Sequence, residues 1–486
     1  MARIAVIGAG MGAMAAAARL AVAGHEVVVH ERTDTYGGAL RRYEREGFAF
    51  DTGPGLLRLP AVHRDLFVKT GRERLEDLVE LTEVPVTAHH IFPGGEFPAG
   101  AFPGGGCVTL PNASRGKVID ALDEALGAGA GERWAQVLTR GREAWEAVRR
   151  PLLEEPLREE PGSRGALSRA GAYPAVRKKG LLRRRPPTLA EVAADELRDP
   201  RLAAVLGACS WAYGLDPAEA PAEAAVLAYI EDAFGTWYVR GGMRALADAL
   251  YERCLRRRVA FRFGSGVAGV REKDGRAAGL ELEDGELVEA DAVVAGGGPV
   301  ARQDAAAAST PGAARLTVLL ALRGERPEGT PHRTVVHSPQ GLGRPLTVLR
   351  PDDPALRPAG GYESAVLSLP VPVGSVRSEE EAGRLAGQLL ALTDEAGLGL
   401  VGRLLWHEVR TPADNEAETG APGGLVPPPA LPGAGGAFLR PANRTALEGL
   451  YAVGGWSHPG GGLPAAGMTG AMAAGLFQDP DWRGSS

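Results

Sequence analysis

The sequence predicts an α/β fold, and three observations near its N-terminus support this prediction. Residues 3–7 form a short apolar run typical of a buried parallel strand. An alanine-rich, proline-free stretch from Met11 to Ala23 predicts a helix that ends at Gly24. Residues 26–30, EVVVH, form a second apolar run. Strand, helix and strand in this order predict a right-handed βαβ unit and therefore a parallel sheet.

Elements of both kinds are expected further along the chain. The predicted helices cover residues 118–147 with a break at 127–131, 188–232 with Thr188 as N-cap, 243–257, 379–396 and 464–477. The predicted strands cover residues 259–263, 279–283, 292–295, 316–322 and 450–453. Glycine and proline are frequent at 93–111, which predicts loops with short strands, and again at 411–436.

Bulk composition excludes several classes of protein. The formal net charge is −6 and the pI is near 6.0, so no overall positive field attracts nucleic acid. Cys107, Cys209 and Cys254 form no CxxC pair. Their spacing argues against a disulfide framework or a zinc site and for a reduced, cytoplasmic setting. The chain has no run of about 18 or more uncharged apolar residues, so no membrane span is expected.

The loop between the first strand and the first helix has the pattern G-x-G-x-x-A and consists of Gly8, Ala9, Gly10, Met11, Gly12 and Ala13. Its glycines permit a tight turn and a close approach of backbone to a pyrophosphate. The helix that follows would point unpaired N–H groups at the phosphates. Glu31 ends the second strand, where an acidic side chain binds ribose hydroxyls. These residues predict a dinucleotide site better than they predict a signal peptide.

Further motifs specify the kind of nucleotide. Glu31-Arg32 is followed by the pair Gly37 and Gly38, and residues 47–54 read GFAFDTGP. Residues 238–243 read YVRGGM, and residues 440–464 contain RPANR, GLYAVGG and SHPGGGLP. In this order the segments resemble the bacterial phytoene desaturases, a family of carotenoid biosynthesis among the amine-oxidase-like flavoproteins. The resemblance covers nearly the whole chain and is weak between Thr70 and Glu231.

The resemblance implies FAD as the cofactor and a Rossmann-like FAD-binding domain with an inserted α+β substrate domain. The implied FAD-binding domain consists of residues 1–75, 235–310 and 410–486, and the substrate-binding domain of residues 76–234 and 311–409. Besides the N-terminal loop and Glu31, the family pattern places these residues against FAD: Arg32, Gly37, Gly38, Gly53, Pro54, Val267, Gly454, Gly455, Gly467 and Met468. The helix that starts near Pro464 would stabilise negative charge on a reduced flavin.

Two positions depart from the family pattern. An arginine usually follows the paired glycines, but Ala39 stands here, so Arg41 or Arg42 would have to contact the pyrophosphate. Gly55 stands where relatives often have Thr or Ser, which opens space near the flavin. For His458, inside the C-terminal motif, a role in shaping the ring pocket and a purely structural role are both open.

By resemblance, the reaction removes two hydrogens across a carbon–carbon bond of an isoprenoid or similar lipophilic substrate, and hydride passes to flavin N5. Two alternatives stay open: a flavin amine oxidase and a non-catalytic isoprenoid-binding escort module. Amine oxidases commonly place a lysine near N5, and no lysine follows Lys273. The sequence assigns no catalytic residue, electron acceptor or oligomeric state, and no metal site is expected.

Residues 296–301, GGGPVA, repeat the G-x-G-x-x-A pattern after a predicted strand. A second dinucleotide site, for NADPH, would indicate a monooxygenase or a reductase. However, Pro299 lies in the loop, and residues 315–322 contain no Asp or Glu to bind a ribose. We therefore interpret the segment as a strand of the FAD domain that returns towards the cofactor.

Residues 177–185 contain six basic side chains around Leu181 and Leu182. Two interpretations are open: a solvated loop, or a peripheral docking site on the inner face of an anionic membrane. His89 and His90 lie next to a Gly- and Pro-rich region, and we expect them at the surface rather than on a metal.

Overall fold

The structure is a computed structural model of the chain. It describes all residues except 94–101, 103–104, 159–162, 170, 172, 176–185, 298–311, 338–341 and 485–486. The basic run 177–185 and residues 298–301 of the second glycine loop therefore lie outside the described residues.

Strands occur along the whole chain and fall into two large and three small sheets. They are Arg3–Ile7 (β1), Glu26–His30 (β2), Arg42–Arg45 (β3), Phe48–Asp51 (β4), Leu57–Arg58 (β5), Leu81–Glu83 (β6), Val86–Phe92 (β7), Gly106–Pro111 (β8), Thr236–Val239 (β9), Ala260–Arg262 (β10), Val267–Lys273 (β11), Arg276–Leu282 (β12), Leu287–Glu289 (β13), Ala292–Ala295 (β14), Ala314–Arg323 (β15), Arg333–Val336 (β16), Leu346–Leu349 (β17), Tyr362–Val371 (β18), Leu404–Arg410 (β19) and Leu450–Ala452 (β20).

The α-helices surround both large sheets. They are Met11–Val22 (α1), Ala61–Gly71 (α2), Arg115–Leu126 (α3), Ala130–Arg149 (α4), Ser163–Arg169 (α5), Leu189–Val192 (α6), Pro200–Trp211 (α7), Ala225–Phe234 (α8), Arg244–Arg256 (α9), Glu379–Glu395 (α10), Pro412–Thr419 (α11) and Leu463–Gln478 (α12). Two π-helical segments, Arg150–Glu154 and Ala193–Leu197, continue α4 and α6. None of the helices in the described ranges is long and apolar enough to cross a membrane.

A five-stranded parallel sheet, in the order β10-β2-β1-β14-β20, contains the N-terminal βαβ unit. Val6 of β1 lies opposite Val29 on one side and Val294 on the other. The strands come from three separate stretches of the chain, residues 3–30, 260–295 and 450–452. The predicted α/β fold is confirmed, while the boundaries between the two predicted domains stay a prediction.

Helix α12 packs directly on α1, which follows the first strand. A Cβ atom added to Gly470 would lie 2.7 Å from the backbone N of Ala16 and 2.8 Å from the Cβ of Ala15. Only glycine at position 470 therefore allows the two helices to approach so closely. This contact brings the N-terminal and C-terminal motifs to the same end of the sheet.

The second large sheet has seven strands in the order β19-β15-β18-β17-β16-β7-β8. Neighbouring strands are antiparallel except for β16 and β7, which are parallel. Helix α10 packs on one face through Ala386 and Leu389. The other face meets a helical layer that includes α4, α7 and α8. A mainly antiparallel sheet packed with helices is the arrangement expected of an α+β substrate domain.

Candidate functional site

The glycine loop of residues 8–13 leaves the N-terminus of α1 open to a ligand. Gly8 has a φ of +84° and donates its N–H to the carbonyl of His30 at 2.8 Å. Gly10 is the N-cap residue, and no described side chain caps this end of the helix. Free N–H groups and the positive end of a helix dipole are what a pyrophosphate requires.

Glu31 lies next to this loop and is 9% exposed. Its Oε2 accepts a hydrogen bond from the Ala9 N–H at 2.7 Å. Its Oε1 accepts from the backbone N–H and the hydroxyl of Thr33, at 2.9 and 2.8 Å. A carboxylate can accept about four hydrogen bonds, so capacity remains for a ribose hydroxyl. Glu31 therefore shapes the loop, and its role as the ribose ligand stays a prediction.

The paired glycines form the other wall of the loop. Gly37 donates its N–H to the Ala9 carbonyl at 2.8 Å. A Cβ atom on Gly38 would lie 3.0 Å from the Cα of Gly10. The two glycine backbones thus pass close to each other, and a side chain at position 38 would crowd the loop.

Arg41, and not Arg42, reaches this region. The Arg41 guanidinium donates to Thr33 Oγ1 at 2.8 Å and to the Gly38 carbonyl at 3.2 Å. The Arg42 Nε instead lies 3.1 Å from the carboxylate of Glu44, two residues further along the same strand, β3. Of the two replacements that the sequence leaves open for Ala39, the geometry favours Arg41.

The motif at 47–54 is tied to the motif at 238–243. The Asp51 carboxylate accepts hydrogen bonds from the N–H groups of Met243 and Arg244 at 2.9 and 3.3 Å, and so caps α9. Burial raises the pKa of Asp51 to about 6 in spite of these bonds. A Cβ atom on Gly53 would lie only 2.0 Å from the Ala39 carbonyl oxygen. Gly53 and Pro54 are exposed and follow directly on this cap.

The C-terminal glycine motif meets the N-terminal loop. A Cβ atom on Gly12 would lie 3.0 Å from both Cα and N of Gly454, which itself has a φ of +90°. Gly455 packs against Pro427, with an added Cβ 2.4 Å from its ring. Gly462 is the N-cap of α12, again without a side-chain cap. Segments from opposite ends of the chain thus form one continuous glycine-lined surface.

The first turns of α12 contain two further predicted residues. A Cβ atom on Gly467 would lie 2.5 Å from the Val62 side chain of α2. Met468 is partly buried against the hydrophobic cluster formed by residues of α4, α7 and α8. In this structure both residues make packing contacts within the protein.

Val267 and Arg32 are two further residues that the sequence predicts at the cofactor. The Ser265 N–H donates to the Glu31 carbonyl at 2.8 Å, so the chain leading to Val267 passes beside Glu31. The guanidinium of Arg32 donates to the Ala417 carbonyl of α11 at 2.6 Å. The structure thus gives Arg32 a protein partner, whereas the sequence places it against the cofactor.

An apolar cavity begins at the N-terminus of α12 and extends between α4 and α8. The C-terminal motif lines one side of the cavity with Pro459, Gly461, Gly462, Pro464 and Ala465. The remaining lining is largely aliphatic or aromatic: Leu59, Trp145, Val148, Leu152, Leu153, Val226, Leu227, Ile230, Pro429, Ala430, Leu431 and Pro432. Tyr213 and Glu223 are the polar members of the lining.

His458 is buried and its role here is structural. Its Nε2 lies 3.1 Å from the carbonyl of Glu155, and burial lowers its pKa to about 4. The Asn443 amide donates to the His458 carbonyl at 2.7 Å and to Thr469 Oγ1 at 3.0 Å. Asn443 therefore holds the C-terminal loop onto α12. The sequence motif includes Asn443, but only the fold reveals this role.

His90 is not at the surface, contrary to expectation. It is 2% exposed, and its Nδ1 lies 2.9 Å from His337 Nε2. His90 belongs to β7, a strand inside the second sheet, and alternation along that strand turns it inward. Within the described ranges, no group of histidine, cysteine and carboxylate side chains could hold a metal ion.

Comparison with known proteins agrees with this geometry. The chain matches the family described as "Flavin containing amine oxidoreductase" over residues 14–310. A hydroxyneurosporene desaturase of Rhodobacter capsulatus is 28% identical over 97% of this chain and 96% of its own length. A zeta-carotene-forming phytoene desaturase of Myxococcus xanthus is 30% identical over 60% of this chain and 52% of its own length. A solved oxidoreductase of Methanosarcina mazei shares the fold, with a TM-score of 0.62 at 18% identity over 96% of this chain and 99% of that one.

The parallel sheet, the glycine-lined surface and the adjoining apolar cavity define an oxidoreductase that uses a dinucleotide cofactor. The chain belongs to the flavin containing amine oxidoreductases. It is an FAD-dependent oxidoreductase, and the predicted cofactor and enzyme class are confirmed.

Proposed function

We propose that the protein dehydrogenates a carbon–carbon bond of a lipophilic, isoprenoid-type substrate. The observation that carries this proposal is the apolar cavity that begins at Gly461, Gly462 and Pro464, at the N-terminus of α12. A wall of leucine, valine, proline and tryptophan side chains suits a hydrocarbon chain. The two relatives named above, both of them carotenoid desaturases by name, support the same substrate class.

We also propose how the chain holds FAD. Residues 8–13 with Gly37, Gly38 and Arg41 contact the pyrophosphate, and Glu31 binds the ribose, with Arg32 and Val267 on the adenosine side. Gly53, Pro54, Gly454, Gly455, Gly467 and Met468 border the ribityl chain and the flavin ring. The support for these assignments is that Gly454 approaches Gly12 and Gly38 approaches Gly10, so that the three motifs come together beside the uncapped N-terminus of α1.

When bound, FAD supplies the hydride acceptor at N5 of its ring. The contribution of the protein is to hold a substrate carbon against that ring in a site that excludes water. The uncapped N-terminus of α12 favours negative charge on the neighbouring part of the ring. The cavity wall aligns an extended substrate along α4 and α8.

The alternatives are less well supported. A flavin amine oxidase would need polar groups for an amine, but the lining is largely apolar and no lysine follows Lys273. An escort module without cofactor would not need Glu31 beside an open helix N-terminus. Docking of residues 177–185 on an anionic membrane stays a prediction, because that run lies outside the described residues.

Anaerobic reduction of the purified flavoprotein tests the proposal. Flavin absorbance at the start shows that FAD is bound. Linear polyenes such as phytoene or neurosporene, presented in liposomes, should bleach this absorbance and yield products lighter by two hydrogens in mass spectrometry. Bleaching by a diamine and not by any polyene would instead establish an amine oxidase. A flavoprotein that no polyene reduces would contradict the proposal.

A further inference from the structure

Four charged side chains lie together beside the apolar cavity, and three of them are arginines. We call Arg58, Arg315, Arg333 and Glu231 the arginine cluster. Glu231 binds two members, with Oε2 2.6 Å from Arg58 Nη2 and Oε1 2.7 Å from Arg333 Nη1. Glu231 is 5% exposed and Arg333 3%. The cluster therefore contains one carboxylate and three guanidinium groups, and burial alone does not account for this imbalance.

Arg315 is the member without a carboxylate partner among the described residues. It donates to the Ala212 carbonyl at 2.6 Å, to the Trp211 carbonyl at 3.4 Å and to Ser368 Oγ at 3.4 Å. Burial, together with the charges of Arg58 and Arg333, lowers the pKa of Arg315 to about 10. Arg315 is therefore still a cation at neutral pH, and the cluster has three positive charges against one negative charge.

Excess positive charge inside a protein is unfavourable unless an anion neutralises it. Arg58 also has a buried Nε without a hydrogen-bond partner in the described part of the chain. Guanidinium groups bind carboxylates through two parallel hydrogen bonds, which is the strongest form of this interaction. The unused Arg58 Nε and the unbalanced charge together describe a site that accepts an anionic oxygen group.

The cluster adjoins the cavity through Tyr213. The Cζ of Arg58 lies 5.4 Å from the centre of the Tyr213 ring, and Tyr213 lines the cavity. On its other side, the Tyr213 ring faces Gly462, where an added Cβ would lie 3.4 Å from Cε1. Leu59 and Ile230, the sequence neighbours of Arg58 and Glu231, also line the cavity. A single aromatic side chain thus separates the cluster from the N-terminus of α12.

We infer that the arginine cluster binds a carboxylate at one end of the lipophilic substrate, so that the enzyme prefers an isoprenoid acid to a pure hydrocarbon. The part of this inference that concerns catalysis rests on the proposed function, but the binding itself does not. With the charged end held beside Tyr213, the first carbons of the chain lie next to Gly462. The dehydrogenated bond is then close to the charged end.

A pair of matched ligands tests the inference. All-trans retinoic acid and all-trans retinol share one polyene and differ only in the end group. Their binding is followed by quenching of tryptophan fluorescence, because Trp145 lines the cavity. We expect the acid to bind at least about tenfold more tightly, the effect of one charge-assisted hydrogen-bonded pair. In the Arg315→Met variant this preference should fall below about threefold, with retinol affinity unchanged.

Two further variants make the result specific. Arg315→Lys keeps the charge but not the paired donors, so it should keep only part of the preference. If Arg315→Met fails to fold, Arg315→Gln takes its place, because it also removes the charge and should lower the preference in the same way. Arg403→Met is the control, because Arg403 is also an arginine of the second sheet's surroundings but binds Glu363 at 2.8 Å and does not belong to the arginine cluster. This variant should retain the full preference of the wild type.

Equal binding of acid and alcohol by the wild type would overturn the inference, as would an unchanged preference in Arg315→Met. A lower flavin reduction potential in Arg315→Met without a change in ligand preference would assign the charge to the flavin instead. Tryptophan quenching does not require the flavin. Acid preference in protein that no polyene reduces would therefore reject only the proposed function. Reduction by a hydrocarbon polyene without acid preference would reject only the arginine cluster as a binding site.

Discussion

Gly12 lies against Gly454, and a Cβ atom on Gly12 would be 3.0 Å from both Cα and N of Gly454. Gly12 belongs to the first turn of α1, and Gly454 lies just after the end of β20. The same added Cβ atom would also lie 3.0 Å from the methyl group of Thr469 on α12. The N-terminal loop and the C-terminal motif therefore meet at a contact that a larger residue at position 12 would strain.

Replacement of Gly12 by valine should weaken FAD binding by about 1–3 kcal/mol, because the added atoms must displace backbone rather than flexible side chains. Titration of the apoprotein with FAD, followed by quenching of flavin fluorescence, measures the change. Gly387→Ala is the control, since a Cβ there meets nothing within 4 Å. Wild-type affinity in Gly12→Val would show that this contact does not shape the site.

Arg41→Met should weaken FAD binding by about 1–3 kcal/mol, the range for a hydrogen bond from a charged donor. The side chain reaches Thr33 and the Gly38 carbonyl beside the glycine loop. Arg42→Met should change affinity by less than about 0.5 kcal/mol, because its partner is the exposed Glu44. The same FAD titration compares both variants. The reverse order of effects would assign the pyrophosphate contact to Arg42.

Local pattern is sufficient to predict the elements that bind the nucleotide. The apolar runs at 3–7 and 26–30 coincide with β1 and β2, and the predicted strand 292–295 coincides with β14. Thr188 caps α6 through a capping box with Glu191, as its position suggests. These strands are buried on both sides, so their residues are continuously apolar and the signal is strong.

Contacts between distant segments could not be predicted in the same way. Strands β16 to β19 were not predicted, because no short turn motif links them into obvious hairpins. Tyr213 and Arg58 meet only because β5 and the end of α7 are brought together by the sheet and helices around them. His90 was assigned to the surface from its Gly- and Pro-rich neighbourhood, although its strand is paired on both sides, with β8 and β16.

Glu31→Ala should weaken FAD binding by roughly 1–3 kcal/mol through loss of a buried acceptor. The Ala9 N–H would also lose its 2.7 Å partner, so part of the loss comes from the loop itself. Glu31→Gln keeps one acceptor oxygen and should fall between Glu31→Ala and the wild type. Glu26→Ala, at the exposed start of the same strand, provides the control in FAD titrations. Equal FAD affinity of the wild type and these three variants would show that Glu31 does not bind the cofactor.

Asp51 should make the free energy of unfolding fall as pH rises from about 4 to 6. Its pKa is raised from 3.8 to about 6 by burial, so in this window the folded state binds more protons than the unfolded state. The total change is on the order of 3 kcal/mol and is complete above the folded pKa. In Asp51→Asn this contribution should be absent.

Urea unfolding at several pH values compares Asp51→Asn with the wild type. Asp65→Asn is the control, because Asp65 is half exposed and pairs with Arg19 at the surface. An identical pH slope in Asp51→Asn and the wild type would mean that Asp51 does not titrate in this range.

NADPH should not reduce the bound flavin directly. Gly296, which opens the second glycine loop, donates its N–H to the Ile7 carbonyl at 2.9 Å, and a Cβ there would lie 2.8 Å from the Cβ of Ala13. This backbone therefore packs on the first loop. The next described strand, β15, pairs antiparallel with β18 and β19 in the other sheet and so does not complete a second parallel βαβ unit.

Anaerobic mixing with NADPH should leave the flavin absorbance unchanged, while dithionite bleaches it. Rapid bleaching by NADPH would require a second nucleotide site that this strand order does not provide, since such a site needs a parallel strand and a helix N-terminus directly after the loop.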